Sequence, residues 1–228
     1  MELRGYAICT TQRSGSNFLG QLLESTRLLG RPKEYFNPGI RRNPGMEDHP
    51  RDPHGQLERI TTRGATPNGV YGLKLFHGQA QRAAVTRWAS VLPGLKFVHL
   101  ERRDLLGLAL SHVRAVQTNQ YRSTSPVQGE AVYDRDKIYE RLRGAVLSQA
   151  CWRLYFSRNG ISPLTLVYED VVRAPQAAVD GVARLVGVDG AIIDPSVVDM
   201  RVQRDEATDE WRERFVRETP GRHLVDQL

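Results

Sequence analysis

Short apolar runs alternate along this chain with segments whose apolar residues recur every three or four positions. Residues 6–10 (YAICT) form a β-prone run, and beyond a polar turn Phe18, Leu19, Leu22, Leu23 and Leu29 fall at helical spacing. The alternation repeats with a strand at 71–76 (YGLKLF), a helix over 79–92, a strand at 96–100 (KFVHL) and a helix over 105–117. A long helical pattern covers 136–158, residues 164–168 (LTLVY) read as a strand, and 175–188 as a helix opened by proline in its first turn. A last helix is expected over 208–218, with Thr208 as its cap.

Strands separated by helices of this length imply a parallel sheet with right-handed crossovers and helices on both faces, a three-layer α/β fold. In such sheets ligands bind outside the carboxyl ends of the strands, where the turn after Thr10 would lie. Two stretches break the pattern. Residues 30–69 are rich in Pro, Gly, Arg and His, and 119–133 are polar. Loops this long in a compact domain usually serve function, so both are candidate walls of an acceptor site.

Composition narrows the class. With 228 residues, 40% hydrophobic and 25% charged, the chain can bury one core, and a single domain over 1–228 is expected. Lys and Arg total 32 against 26 Asp and Glu, a formal charge of +6, most of it arginine, whose fork suits phosphate and sulfate oxygens. No basic block with interleaved aromatics and no zinc-finger spacing is present, so nucleic acid is not expected as a partner. Cys9 and Cys151 are too few for a disulfide framework and suit a reducing compartment. No run approaches the ~18 apolar residues of a membrane span. A soluble, cytoplasmic protein is expected.

The turn TTQRSGSNFL at 10–19 holds the chemistry. Strand, glycine-containing turn and helix N-terminus together make an anion site, because unpaired N–H groups and the positive end of the helix dipole point the same way. Gly15 allows close approach, Ser14, Ser16 and Asn17 can donate, and Arg13 adds charge; a merely capped helix is the bland alternative. The nucleoside-triphosphatase pattern GxxxxGK[ST] is absent, which leaves a phosphate cradle without its magnesium half. No metal is expected.

This turn resembles the 5′-phosphosulfate loop of sulfotransferases that use 3′-phosphoadenylyl sulfate (PAPS), and QRSGS is particularly similar to the bacterial trehalose 2-sulfotransferase (Stf0-type) family. GRPKEYFNP at 30–38, TPNGVYGLKLF at 66–76, residues 99–111 followed by RAVQT at 114–118, and TDEWRERF at 208–215 are similar to family segments in the same order. The resemblance implies a P-loop-like sulfotransferase fold, PAPS as co-substrate with 3′-phosphoadenosine 5′-phosphate (PAP) as product, a small-molecule hydroxyl acceptor such as a carbohydrate, and a homodimer as a plausible assembly.

It also implies roles. Residues Gln12, Arg13, Ser14, Gly15, Ser16, Asn17 and Phe18 would bind the co-substrate and Arg102 and Ser111 its 3′-phosphate; helical spacing, not the resemblance, adds Arg114, one turn beyond Ser111, as a further candidate. Glu34 would be the general base, while Arg13 and Lys74 would face the sulfonyl and leaving-group oxygens. Lys74 stands in an otherwise apolar strand, where a lysine is costly unless paired. Two departures stand out. His77, at the strand's end, departs from the tryptophan of the trehalose-type enzymes it resembles, and because many other sulfotransferases use a histidine base after a comparable strand, it is a second candidate base. Ala207 stands where an arginine would be expected, with Arg201 and Arg204 nearby as substitutes. The segment 168–170 (YED) reads as structural. The competing classes are a nucleotide kinase of related architecture and a non-catalytic nucleotide-binding protein, in which Glu34 would be idle.

Overall fold

The computed structural model describes residues 2–42, 45–121, 126–199 and 206–219, with 221 and 226. Four strands, β1 (Arg4–Thr10), β2 (Val70–Phe76), β3 (Leu95–Glu101) and β4 (Leu164–Val167), form one parallel sheet in the order β2-β1-β3-β4. Helices α1 (Ser16–Ser25), α5 (Leu105–Thr118) and α6 (Arg135–Arg158) follow β1 and β3, and α8 (Pro175–Leu185) follows β4 after the short helix α7 (Tyr168–Arg173). This is the expected three-layer architecture.

The pleat of β1 explains the layers, because alternate side chains leave a strand on opposite faces. Tyr6 and Ile8 pack with Leu19, Leu22 and Leu23 of α1 and Val179 and Val182 of α8. Ala7 and Cys9 face the other way, toward Leu73 and Leu75 of β2 and Trp152 and Phe156 of α6. Both faces are therefore dry, and each large aliphatic side chain so buried contributes about 1.5–3 kcal/mol. Polar ends are tied off as well: Tyr6 donates to the Leu29 carbonyl at 2.6 Å and Trp152 Nε1 to the Thr10 carbonyl at 2.9 Å. A third cluster joins Leu110 and Val113 of α5, Ile138 of α6, and Trp211 and Phe215 of α9 (Glu206–Glu218).

Four expectations are corrected. The stretch 30–69 contains a helix, α2 (Pro53–Thr62), whose start is capped by the Asp52 carboxylate accepting from Gly55 N at 2.7 Å. The helix expected over 79–92 is broken into α3 (His77–Ala83), a 3-10 turn at Ala84–Thr86 and α4 (Trp88–Val91), because Arg87 takes a left-handed conformation at φ 54°. Tyr168 begins α7 instead of ending a strand. Thr208 lies inside α9, two residues past its start, where its hydroxyl accepts from Arg114. Among the described residues, no helix is long and apolar enough to cross a membrane.

Candidate active site

The turn between β1 and α1 is over-determined. Gly15 sits at φ 82°, and a Cβ there would lie 2.1 Å from a Tyr168 ring carbon, so both conformation and space require glycine. Arg13 is also left-handed, at φ 65°. Ser14 is fully buried, bonded by its hydroxyl to Thr10 and Thr11 and by its N–H to the Thr11 carbonyl at 3.3 Å. Ser14 therefore shapes the loop from inside. Ser16 and Asn17 occupy the first turn of α1, whose N–H groups have no intrahelical acceptor. Phe18 packs against the core, and Gln12 is exposed.

Lys74 joins this loop to residues contributed from elsewhere. The chain at Lys33 pairs with the free edge of β2, where Lys74 N donates to the Lys33 carbonyl at 2.9 Å, and this register brings Glu34 beside the Lys74 side chain. Lys74 Nζ lies 3.1 Å from Glu34 Oε1 and also donates to Asn17 Oδ1. The second carboxylate oxygen accepts from Asn37 Nδ2 at 2.8 Å and Gln79 Nε2 at 3.0 Å. Burial opposes ionisation of Glu34, but the Lys74 charge and the bonds from Gln79, Lys74 and Asn37 outweigh it and hold the carboxyl below its ordinary value. Glu34 is an ionised, oriented carboxylate.

A second basic cluster lies at the carboxyl end of β3. Arg102 Nη1 donates to the Arg13 carbonyl at 3.0 Å, and its guanidinium stacks 5.0 Å over the Tyr168 ring. Arg13 Nε donates to Ser111 Oγ at 3.0 Å, and its Nη1 to the Tyr121 carbonyl at 2.6 Å. Burial and the Arg102 charge both lower the Arg13 pKa, an electrostatic cost that a bound oxyanion would relieve. The structure thus groups Arg13 with Arg102 and Ser111, whereas the sequence reading had set it toward the sulfonyl oxygens with Lys74. Asp104 caps α5 through Gly107 N at 2.9 Å and accepts from Arg212 of α9 at 2.6 Å.

Beside the loop opens a cleft of about 720 Å³ lined by Thr11, Gln12, Asn37, His77 and Gln79, with α5 and α6 on its far side. Asn37 and Gln79, the two residues that clamp Glu34, both face it. His77 sits at the start of α3, its ring edge-on to Trp152 at 6.5 Å. His112 of α5 also lines the cleft, and burial, then the charges of Arg141 and Arg13, push its pKa down to about 4.

A buried lysine joining an anion loop to an oriented carboxylate, at the carboxyl ends of a parallel sheet, is an arrangement for group transfer from an anionic donor. The family model for Stf0 sulphotransferase matches residues 5–218. The chain belongs to the Stf0 sulphotransferase family. It is an enzyme, a sulfotransferase. It is 30% identical to trehalose 2-sulfotransferase of Mycobacterium tuberculosis (strain ATCC 35801 / TMC 107 / Erdman), over 96% of both chains, and 27% identical to trehalose 2-sulfotransferase of Mycolicibacterium smegmatis, over 93% of this chain and 94% of the relative. The first alignment spans 261 positions, more than the 228 residues here, so that relative carries insertions within the matched stretch. In fold, the chain is similar to a sulfotransferase from Alicyclobacillus acidocaldarius (TM-score 0.54, 16% identity, 95% of this chain and 93% of that one). It is also similar to the sulfotransferase domain from the curacin biosynthetic pathway (TM-score 0.53, 14% identity, 96% and 100%).

Within this Stf0 sulfotransferase, Lys74, Glu34 and Asn17 come together, as do Arg13, Arg102 and Ser111. Arg201 and Arg204 lie outside the described residues. Gln79 and Asn37 were missed as site residues, although Asn37 falls within the quoted GRPKEYFNP segment. Arg212 was missed too. It falls within TDEWRERF, but only the packing of α9 on α5 reveals its bond to Asp104.

Proposed function

We propose that this enzyme transfers a sulfuryl group from PAPS to a hydroxyl of a small polar acceptor, with carbohydrates the first class to test. The observation that supports it most is the Lys74 side chain, which bonds Asn17 of the loop and Glu34 at once. In this reading the loop holds the 5′-phosphosulfate, and Arg102, Ser111 and Arg13 hold the 3′-phosphate. Glu34 removes the acceptor proton as its oxygen bonds to sulfur, while the bond from sulfur to the phosphate oxygen breaks and PAP leaves. Lys74 offsets the charge that develops on the leaving oxygen. Positioning and charge stabilisation then supply most of the acceleration, as in phosphoryl transfer.

The test is incubation with labelled PAPS and a panel of sugars, glycosides and other hydroxylated metabolites, read by mass for the gain of a sulfate. Transfer that persists in EDTA separates this reading from a magnesium-dependent kinase. Absence of transfer to every acceptor, together with equal affinity for PAP and AMP, would overturn it.

A further inference from the structure

The cleft beside Glu34 has a basic wall that the transfer chemistry does not use. Arg82 of α3 and Arg141 and Arg143 of α6 line it, against Asp136 and Glu140. Both carboxylates have partners of their own, Asp136 with Arg135 at 2.8 Å and Glu140 with Arg141 at 3.9 Å. Arg82 and Arg143 make no side-chain hydrogen bond or ion pair among the described residues, yet both face the cleft. A methyl on Gly78 would lie 3.7 Å from Arg82 Nη1, so the guanidinium folds back along α3 toward the end that carries His77. His112 of α5, beside α6, has its pKa lowered first by burial and then by the charges of Arg141 and Arg13.

We infer that the acceptor carries an oxyanion substituent, a phosphate or carboxylate on a polyhydroxylated compound, and that Arg82 and Arg143 bind it while one of its hydroxyls faces Glu34. A neutral sugar would leave these two exposed guanidinium groups bonded only to water, whereas an anionic one gains charge-assisted contacts, which guanidinium supplies to planar or tetrahedral oxyanions. The inference rests on the sulfotransfer reading and specifies its acceptor class.

Matched pairs test it: trehalose against trehalose 6-phosphate, and glucose against glucose 6-phosphate and glucuronic acid, each with PAPS. The same compounds are titrated into the enzyme–PAP complex by calorimetry, which reads selectivity even where no hydroxyl is placed for transfer. The expected result is that a phosphate- or carboxylate-bearing member is favoured about tenfold over its neutral partner, with a preference that shrinks in salt. The phosphate and carboxylate arms identify which oxyanion is read. In the double variant Arg82→Gln/Arg143→Gln the ratio should fall toward one while PAP affinity is retained, which shows that the fold and donor loop are intact. Equal or better use of the neutral partner, or a preference that survives the double variant, would overturn the assignment. Loss of PAP binding by the wild type would instead remove the donor reading, and the acceptor site with it.

Discussion

The donor loop and the basic wall of the cleft are built in opposite ways. In the loop, the polar groups that shape it are already engaged: Thr10 with Ser14 and the Leu100 carbonyl, the Thr10 carbonyl with Trp152, the Arg13 carbonyl with Arg102, and Gly15 against Tyr168. Its shape is set by four surrounding residues, Leu100, Arg102, Trp152 and Tyr168, before any ligand arrives. Arg82 and Arg143, by contrast, extend from exposed helical surface and contribute nothing to the core. Preorganisation lowers the ordering cost of binding the proposed donor, and it is worth most where charge develops during reaction. A loosely held wall can change its specificity by substitution at little cost to the fold. The two regions should therefore fail differently when altered.

The largest effect is expected at the junction of the two. Glu34→Gln preserves size and most hydrogen bonding but removes basicity, so kcat should fall by about 10²-fold or more with PAP affinity nearly unchanged. Steady-state kinetics and calorimetry on the same preparation check both halves. The pH profile follows from the sign of the shift. A carboxyl held below its ordinary value stays ionised through the neutral and mildly acid range, so the rate limited by Glu34 should be flat there and fall only as pH drops through the lowered value. The stability contributed by its ion pair with Lys74 is likewise present above the unfolded carboxylate value, near about 4.3, and lost as pH falls through the folded one. A rate that declined through neutrality would point to an imidazole instead.

Next in size is Arg102→Ala. It should weaken PAP binding by about ten- to a hundredfold, the loss of a charge-assisted contact, while AMP, which lacks the 3′-phosphate, should lose much less. An equal loss for both ligands would show that Arg102 acts by supporting the Arg13 carbonyl and Tyr168 rather than by touching the ligand. Gly15→Ala separates these cases from outright loop damage. The added methyl overlaps the Tyr168 ring, so both PAP and AMP should bind more weakly and thermal stability should fall.

Legibility in the sequence divides along the same line. The strands were readable because apolar runs lie between turn residues, and the loop was readable because its glycine and hydroxyl residues have a local meaning. Helix α2 escaped notice because Leu57 and Ile60 are its main apolar residues, although Asp52 followed by Pro53 is a helix-start signal. The break at Arg87 had no signal, since a left-handed arginine looks like any other. Glu34 and Lys74 are 40 positions apart, and Asp104 and Arg212 lie 108 apart. No periodicity reports such contacts: the first pair was reachable through family resemblance, the second only through packing. Ser14 was read as a ligand donor from its residue type, whereas its direction was set by Thr10 and Thr11.

The smallest effect is expected at His77, and it decides whether the cleft contains one base or two. His77 faces the same cleft as the clamp around Glu34, so position alone does not separate them. What separates them is support. The Glu34 carboxylate is held by Lys74, Asn37 and Gln79, which orient it and stabilise its ionised form. His77 has only an edge contact with Trp152 recorded among the described residues, and no carboxylate or carbonyl there orients its ring. A base that must hold one geometry through the transition state needs such partners. His77→Asn should therefore lower kcat by less than about tenfold and act mainly on KM for the acceptor, the signature of a lost contact rather than a lost proton acceptor. If His77→Asn abolishes turnover while Glu34→Gln keeps most of it, the imidazole is the base, and the clamp around Glu34 serves to hold Lys74 in place.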